Sequence, residues 1–443
     1  MGTRLLYIMA ALTALTLFAA CGTALAQEKS EGKVVLDNGM TVLVQDNTGD
    51  LAAACIYVKA GAGEETQDIN GITNLLNRTV LACQPTSNSA PPALKIEQLG
   101  GMVDVETHSD YTCFSLVTPA KDLGTAIRVL ADALGKPDCS DAALNTEKIG
   151  LMAQEEWRQD HLVERAYRLF LQKTYEGRPY GLDPDGDAGV ISRLGKKELS
   201  YWHGLHYRPE DMLVSVCGKL DRDAVAKMVA DAFRRPDAGR KAQGIWQGEP
   251  GIAVASTRRY EESAPPGRAV AILGYTAPAI GTQDYPAMRL MEALLSDGMG
   301  SLVFKALRED DDLAYSFGSI MPPQRSVSRY AIYVMADEDK LDAAVKSIQK
   351  AVEKVKSGDI TDDMLTRARG RSTGALMLER ETALDKARQA GLYEFMGLGQ
   401  GYGDEVARNI EGLDKGELGR TAMKYMDKYT LVVLRPKDKR RLR

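Results

Sequence analysis

Histidine is scarce in this chain of 443 residues: there are four, and none lies beyond His206. His108 and His161 stand alone, and His203 and His206 fall three apart in a segment that reads as helix. No cluster of His, Glu and Asp has ligand spacing, which argues against a metal centre built by this chain alone. None of the six cysteines shows C-x-x-C spacing, so the redox and zinc chemistry of that motif is excluded. Basic charge is not in excess either. The net charge is −5, with a pI near 5.7, and Lys and Arg are scattered rather than striped. A nucleic-acid partner is therefore not expected. Past the N-terminus, no apolar run approaches the length that spans a membrane.

What remains is an ordinary globular composition, 44% hydrophobic and 26% charged, long enough for two or more domains. Met1 to Ala26 reads as an export signal. Arg4 supplies the positive start, Leu5 to Ala20 is apolar, and Ala24-Leu25-Ala26 forms a small-x-small cleavage site. A second reading is a lipobox, Phe18-Ala19-Ala20-Cys21, with Cys21 acylated as a lipid anchor. Either way the expected location is the periplasm or bacterial cell envelope. Export permits disulfides. Five cysteines follow the signal, so at least one is free, and Cys55, Cys113 and Cys217 sit in strand-like runs that suit small buried residues.

Lys33 to Gln45 reads as two strands around Asn38-Gly39, a hairpin signal. A strand from Ala52 to Val58 follows. Next come Gly61 and Gly63 with two acidic residues, and then Ile72, Leu75, Leu76, Thr79 and Val80 at helical spacing. Asn74 and Asn77-Arg78 lie one turn apart on that helix. Gly100-Gly101 ends a short helix and leads into strand-like alternation from Met102 to Leu116. Helices follow at Asp122–Leu134 and after a Ser140 cap. Lys196 to Leu205 reads as helix, Met212 to Gly218 as strand, and Asp221 to Phe233 as a closing helix. A polar stretch from Arg234 to Gly251 marks a linker.

The segment Gly61 to Thr86 resembles the active-site start of the pitrilysin-type (inverzincin, M16) zinc peptidases, where H-x-x-E-H lies on such a helix. In this chain the motif positions are Asn74-Leu75-Leu76-Asn77-Arg78. The family's third ligand is a glutamate seven residues after another glutamate; seven after Glu147 is Gln154. Thus Asn74, Asn77, Arg78 and Gln154 stand where ligands and base are expected. An amide oxygen is a poor zinc donor, a guanidinium cannot deprotonate to ligate, and Asn77 cannot take a proton from water. A hydrogen-bonded polar patch is the expected outcome, with no metal and no catalytic residue in this chain. The resemblance extends further. Gly100 to Thr107 corresponds to the family's substrate-holding strand edge, with Asp104 in place of Asn, and Arg178-Pro179-Tyr180-Gly181 to its H-P-Y-G, with Arg for His.

The second half repeats the first. Tyr111 to Trp157 and Ser328 to Glu379 share an order of strand, turn, helix, cap and helix, with Ser140-Asp141 echoed by Thr361-Asp362. A whole-domain repeat implies two similar α+β units, each an antiparallel sheet with packed helices. The resemblance adds the LuxS-like metallohydrolase fold and one half-clamp of a two-part chamber. The expected domains are 31–236 and 257–438, joined by a linker at 237–256 after the signal at 1–26. In the resembled family an arginine and a tyrosine seven residues later bind substrate; Arg308 and Tyr315 have that spacing. The resemblance therefore implies a catalytically inactive homologue, the non-catalytic subunit of a heterodimeric zinc endopeptidase. Zinc would sit in a partner with an intact H-x-x-E-H, and peptide or unfolded protein would be the substrate. The alternative is a non-enzymatic peptide-binding or scaffold protein of the envelope.

Overall fold

The computed structural model describes residues 32–83, 90–137, 139–234, 254, 256–265, 267–310 and 312–436. The expected export signal with Cys21, nearly all of the expected linker at 237–256 and the basic tail from Lys437 lie outside the described residues.

Two sheets organise the described residues. The first has six strands: β1 (Lys33–Val35), β2 (Thr41–Asp46), β3 (Leu51–Val58), β4 (Met102–Thr107), β5 (Thr112–Pro119) and β6 (Met212–Gly218). Their spatial order is β1-β2-β6-β3-β5-β4. The second has five: β7 (Arg258–Ala264), β8 (Ala269–Ala277), β9 (Ser316–Ile320), β10 (Ser328–Ala336) and β11 (Tyr429–Pro436), ordered β7-β11-β8-β10-β9. Without β1, the two orders superimpose strand for strand, so the inferred repeat is a repeat of whole topologies. Both sheets are antiparallel except at one pairing each, β2 with β6 and β7 with β11. That is a correction to the all-antiparallel expectation. The last strand of each domain, β6 or β11, inserts beside β2 or β7 after a helical excursion, and such a crossover delivers it parallel.

The repeated helix pairs are Leu123–Gly135 with Asp141–Asp160, and Glu338–Ser357 with Asp362–Leu378. Their caps match: Ser140 Oγ accepts from Ala143 N at 3.1 Å, and Thr361 Oγ1 from Met364 N at 3.2 Å. These side chains satisfy amides that the first helical turn leaves unpaired.

β3 and β8 are buried along nearly their whole length, with no polar alternation. The reason is that both faces of each sheet are covered. One face packs on its own domain's helices. The other receives a helix from the opposite domain. Leu162–Thr174 lays Phe170 against β8, and Ala383–Phe395 lays Ala387, Ala390 and Gly391 against β3 and β6. Each exchange depends on a glycine that meets an aromatic ring. A Cβ on Gly274 would lie 2.0 Å from Phe170 Cε2, and one on Gly391 would lie 2.5 Å from Tyr57 Cε2.

Polar contacts lock the same interface. Tyr57 OH donates to the Arg388 carbonyl at 2.6 Å. Tyr180 OH donates to Asp110 Oδ1 at 2.8 Å and accepts from Ser326 N at 3.1 Å, while Arg325 N donates to Asp110 Oδ2 at 2.9 Å. Tyr180 of the R-P-Y-G segment is thus an interdomain strut. Burial raises the Asp110 carboxyl above the usual carboxylate range, opposed by these donors.

Cys83 and Cys139 form a disulfide, tying the end of the Ile72–Ala82 helix to the loop before Ser140. Cys55, Cys113 and Cys217 are free and buried in β3, β5 and β6, as their strand-like surroundings implied. No helix among the described residues is long and apolar enough to cross a membrane.

Candidate functional site

The helix Ile72–Ala82 is held at its start by Glu65, whose carboxylate is buried. It accepts from Gly71 N at 2.7 Å, Thr73 N at 2.9 Å and Asn70 Nδ2 at 2.9 Å. An anion there meets both the free amides and the positive end of the helix dipole. Burial pushes the Glu65 carboxyl up, and the Gly71 and Asn70 donors oppose it. Gly71 has φ +101°, and a Cβ there would meet Ile191 at 2.7 Å, so only glycine suits this entry. Gly61 and Gly63 have a different task. A Cβ on either would press on the Ser109 carbonyl at 2.6–2.7 Å.

The helix points Asn74 and Arg78 into an open cleft of about 820 Å³. The opposite walls are the β4 strand, the Pro92–Gln98 helix with Leu94 and Glu97, and Glu147 and Gln154 from Asp141–Asp160. Asn74, Arg78, Glu147 and Gln154 are therefore brought together, as the motif comparison required. Arg78 Nη1 donates to Gln154 Oε1 at 2.9 Å, and its Nε lies 3.4 Å from Glu147 Oε2. Asn74 Nδ2 donates to the Asp185 carbonyl at 3.0 Å. Asn77 is turned away from the cleft and is fully buried. Its Nδ2 donates to Thr107 Oγ1 at 2.8 Å and Thr112 Oγ1 at 3.0 Å, and its Oδ1 accepts from Tyr207 OH. It pins the helix to β4 and β5.

This donor set does not fit zinc. A structural or catalytic zinc takes thiolate, imidazole or carboxylate donors. Here the centre of the cleft is a permanent cation, already hydrogen-bonded to the amide and paired with the one carboxylate that the resemblance retained. Glu155, next to Gln154, faces elsewhere. Burial alone would raise its carboxyl, but Arg168 outweighs that and holds it below the ordinary range. Arg168 Nη2 donates to Glu155 Oε2 at 2.7 Å, and Arg158 Nη2 donates to the same oxygen at 3.0 Å. His203 and His206 also point away. His203 Nε2 donates to the Leu134 carbonyl at 2.7 Å. His206 is buried beneath Trp202, which drives its pKa down to about 4.

Arg308 and Tyr315 lie in the second domain and do not line this cleft. The segment that carries Arg308 is a short helical turn, Leu302–Phe304, that opens into a π-helical stretch, Lys305–Asp310. Arg308 Nη1 donates to the carbonyls of Ala314 at 2.8 Å and Tyr315 at 3.2 Å. Tyr315 is 49% exposed, its OH donates to Asp337 Oδ2 at 2.8 Å, and Arg268 lies 4.0 Å above its ring.

Comparison with known proteins matches this architecture. Residues 40–181 match the model described as Insulinase (Peptidase family M16), and residues 193–371 match the model described as Peptidase M16 inactive domain. The chain belongs to peptidase family M16. An uncharacterized zinc protease of Mycobacterium tuberculosis is 24% identical over 403 residues, covering 88% of this chain and 89% of that one. A protease from Helicobacter pylori superimposes with a TM-score of 0.85 at 21% identity, covering 91% of this chain and 99% of that chain. A peptidase M16 inactive domain from Pseudomonas fluorescens gives 0.82 at 18% identity, covering 92% and 98%. At that identity the structural likeness establishes the fold, and the site must be argued from its own residues.

Several cleft residues escape a motif reading. Asp185, Glu97 and Glu106 reach the cleft from three separate segments. Of the cleft's acidic residues, the motifs had marked Glu147 and Asp104. Tyr207, which holds Asn77, is 130 residues away from it in sequence.

Proposed function

We propose that this M16 chain is a non-catalytic subunit that binds extended peptide for a partner carrying an intact H-x-x-E-H. One observation carries the reading: Arg78, bonded to Gln154 and Glu147, stands at the centre of the motif positions while the cleft beside β4 stays open. A guanidinium there cannot generate a zinc-bound nucleophile, and no other side chain in the cleft supplies one. The open edge of β4 still offers backbone donors and acceptors for an added strand. Arg308 and Tyr315, both exposed, would face the partner's chamber, with Arg308 donating to a peptide carbonyl. Zinc would belong to the partner, and the export signal would place the pair in the envelope, free or anchored through Cys21.

The test is an affinity pull-down of the mature protein from its native envelope, with mass identification and a zinc assay. The expected result is a stoichiometric, zinc-bearing homologue whose peptidase activity falls when Arg308→Ala is introduced into this chain. A metal-free protein recovered alone or as a homodimer would overturn the subunit reading and leave the scaffold role. An active complex indifferent to Arg308→Ala would remove the Arg308 assignment.

A further inference from the structure

Three thiols share the face of the first sheet that the second domain covers. Cys55 on β3, Cys113 on β5 and Cys217 on β6 are buried in the cluster that takes Ala387 and Ala390 of the Ala383–Phe395 helix. Register fixes their relations. Cys55 stands opposite Ser115 and Cys113 opposite Tyr57, so these two cysteines are diagonal neighbours on one face. Their thiols are in direct donor–acceptor contact. Diagonal positions lie about 7–8 Å apart in backbone, wider than the ~4–7 Å that a disulfide spans. The chain forms the Cys83–Cys139 disulfide yet leaves this pair as thiols. Cys217 is not part of the pair. It stands opposite Ala53, and its Sγ contacts the Asp46 carbonyl at 3.9 Å.

Polar atoms without partners surround the pair. Ser215 stands opposite Cys55 on β6, is fully buried, and its Oγ has no hydrogen-bond partner. Arg388 Nε, on the covering helix, is likewise buried without one. Arg388 reaches the pair through Ser115. Its Nη2 donates to Ser115 Oγ at 3.0 Å, and that oxygen lies 3.8 Å from Cys113 Sγ. On its other side, Arg388 lies 3.3 Å from Glu106. Buried polar atoms left unpaired call for a redox group, a water or an ion that completes the site.

The donors present select one kind of ion. Among the described residues no group of three or more His, Cys, Asp and Glu could hold a metal, so the four donors of a zinc site are lacking. Two thiolates alone suit a soft monovalent cation, for which sulfur is the preferred donor. Binding of Cu(I) by two thiols releases two protons and forms two Cu–S bonds, with no change in oxidation state. The product carries one negative charge, and the Arg388 guanidinium is placed to balance it. We infer that Cys55 and Cys113 form a two-coordinate site for a soft monovalent cation such as Cu(I), sealed beneath the Ala383–Phe395 helix. This site is independent of the peptide-binding reading. Its ligands come from one domain and its counter-charge from the other, so the bound ion would hold the two domains together.

The test titrates the purified full chain, carrying Cys21→Ser, against Cu(I) held by bicinchoninate under anaerobic conditions. The expected result is one Cu(I) withdrawn per chain, with X-ray absorption showing two sulfur neighbours. Cys55→Ser and Cys113→Ser should each weaken binding by more than ~100-fold, beyond the ~10–100-fold loss typical of an outer partner. Arg388→Gln should weaken it by ~10-fold, and Arg388→Lys should restore it. Cys217→Ser should leave it unchanged. Cu(I) should also raise the unfolding temperature of the chain with native thiols, and not that of Cys113→Ser. No withdrawal of Cu(I), nitrogen or oxygen neighbours in the absorption spectrum, or unchanged binding in both serine variants would each overturn the site. An Arg388→Gln chain that binds as the native one does would refute the counter-charge role. Should the serine variants fail to fold, the stoichiometry and the sulfur count on the native thiols decide.

Discussion

Asn77 stands where the family carries its catalytic base, and its replacement tests whether that position has become structural. The Asn77→Leu change keeps similar bulk and removes three hydrogen bonds, two donated to Thr107 and Thr112 and one accepted from Tyr207. Buried side-chain bonds contribute about 1 kcal/mol each in net terms. The expected loss is therefore about 2–3 kcal/mol, or a fall in Tm of ~4–12 °C for a domain of this size. Asn77→Glu should cost more. The Thr112 hydroxyl already donates to the Ala60 carbonyl at 2.8 Å, so a carboxylate at 77 would meet its lone pairs inside a dry site. Trp202 provides the assay. It is buried in the same domain, and its Nε1 donates to Thr73 Oγ1 at 3.1 Å on the helix in question. Urea unfolding followed by its fluorescence gives each variant's stability. Tyr207→Phe and the double variant complete a cycle, with a coupling of about 1 kcal/mol expected for the shared bond. A loss below about 0.5 kcal/mol for Asn77→Leu, or additivity in the cycle, would refute the structural role.

Three further outcomes follow from the domain interface and from burial. Gly274→Ala forces a Cβ to 2.0 Å from the Phe170 ring, so it should destabilise by about 1–3 kcal/mol and split urea unfolding into separate domain transitions. Tyr180→Phe removes the hydroxyl that joins Asp110 to Ser326; a loss of about 1–2 kcal/mol, with the same split transition, is expected by calorimetry or urea unfolding. His206 is held neutral by burial, with a folded pKa of about 4. The unfolded chain takes up the proton first as pH falls below about 6.5, so this residue's contribution to stability shrinks from there to about pH 4. Subtracting the pH–stability curve of His206→Gln from that of the native chain should expose that slope, and parallel curves would contradict it.

The site was legible where it depended on spacing within one segment. Asn74 and Arg78 could be aligned on one face of a helix, and Gln154 and Glu147 on one face of another, because helical periodicity sets those faces. That these two helices bring Arg78 against Gln154 and Glu147 matched the motif comparison. The inward turn of Asn77 did not emerge, since one residue's rotation on a helix decides it. Arg308 holds the backbone of Ala314 and Tyr315. A π-helical turn redirects it, and π-turns leave no periodic signature. The second domain's Ala383–Phe395 helix was not read at all. The residues it lays on β3 and β6, Ala387, Ala390 and Gly391, are small, and their spacing of three and four was the signal available for that contact.

By itself, the sequence determined the repeat, the capped helix pairs and the replacement of the zinc-motif side chains at Asn74, Asn77, Arg78 and Gln154. These are local patterns of period, cap and residue type. Tertiary structure alone decided that each domain lends a helix to the other's sheet, that Tyr180 and Asp110 join the two, and that Glu97, Asp104, Glu106 and Asp185 share one cleft beside an open strand edge. Such contacts join segments tens to hundreds of residues apart. Their partners are selected by shape and by the need to satisfy buried polar groups, neither of which is encoded in any single stretch of chain.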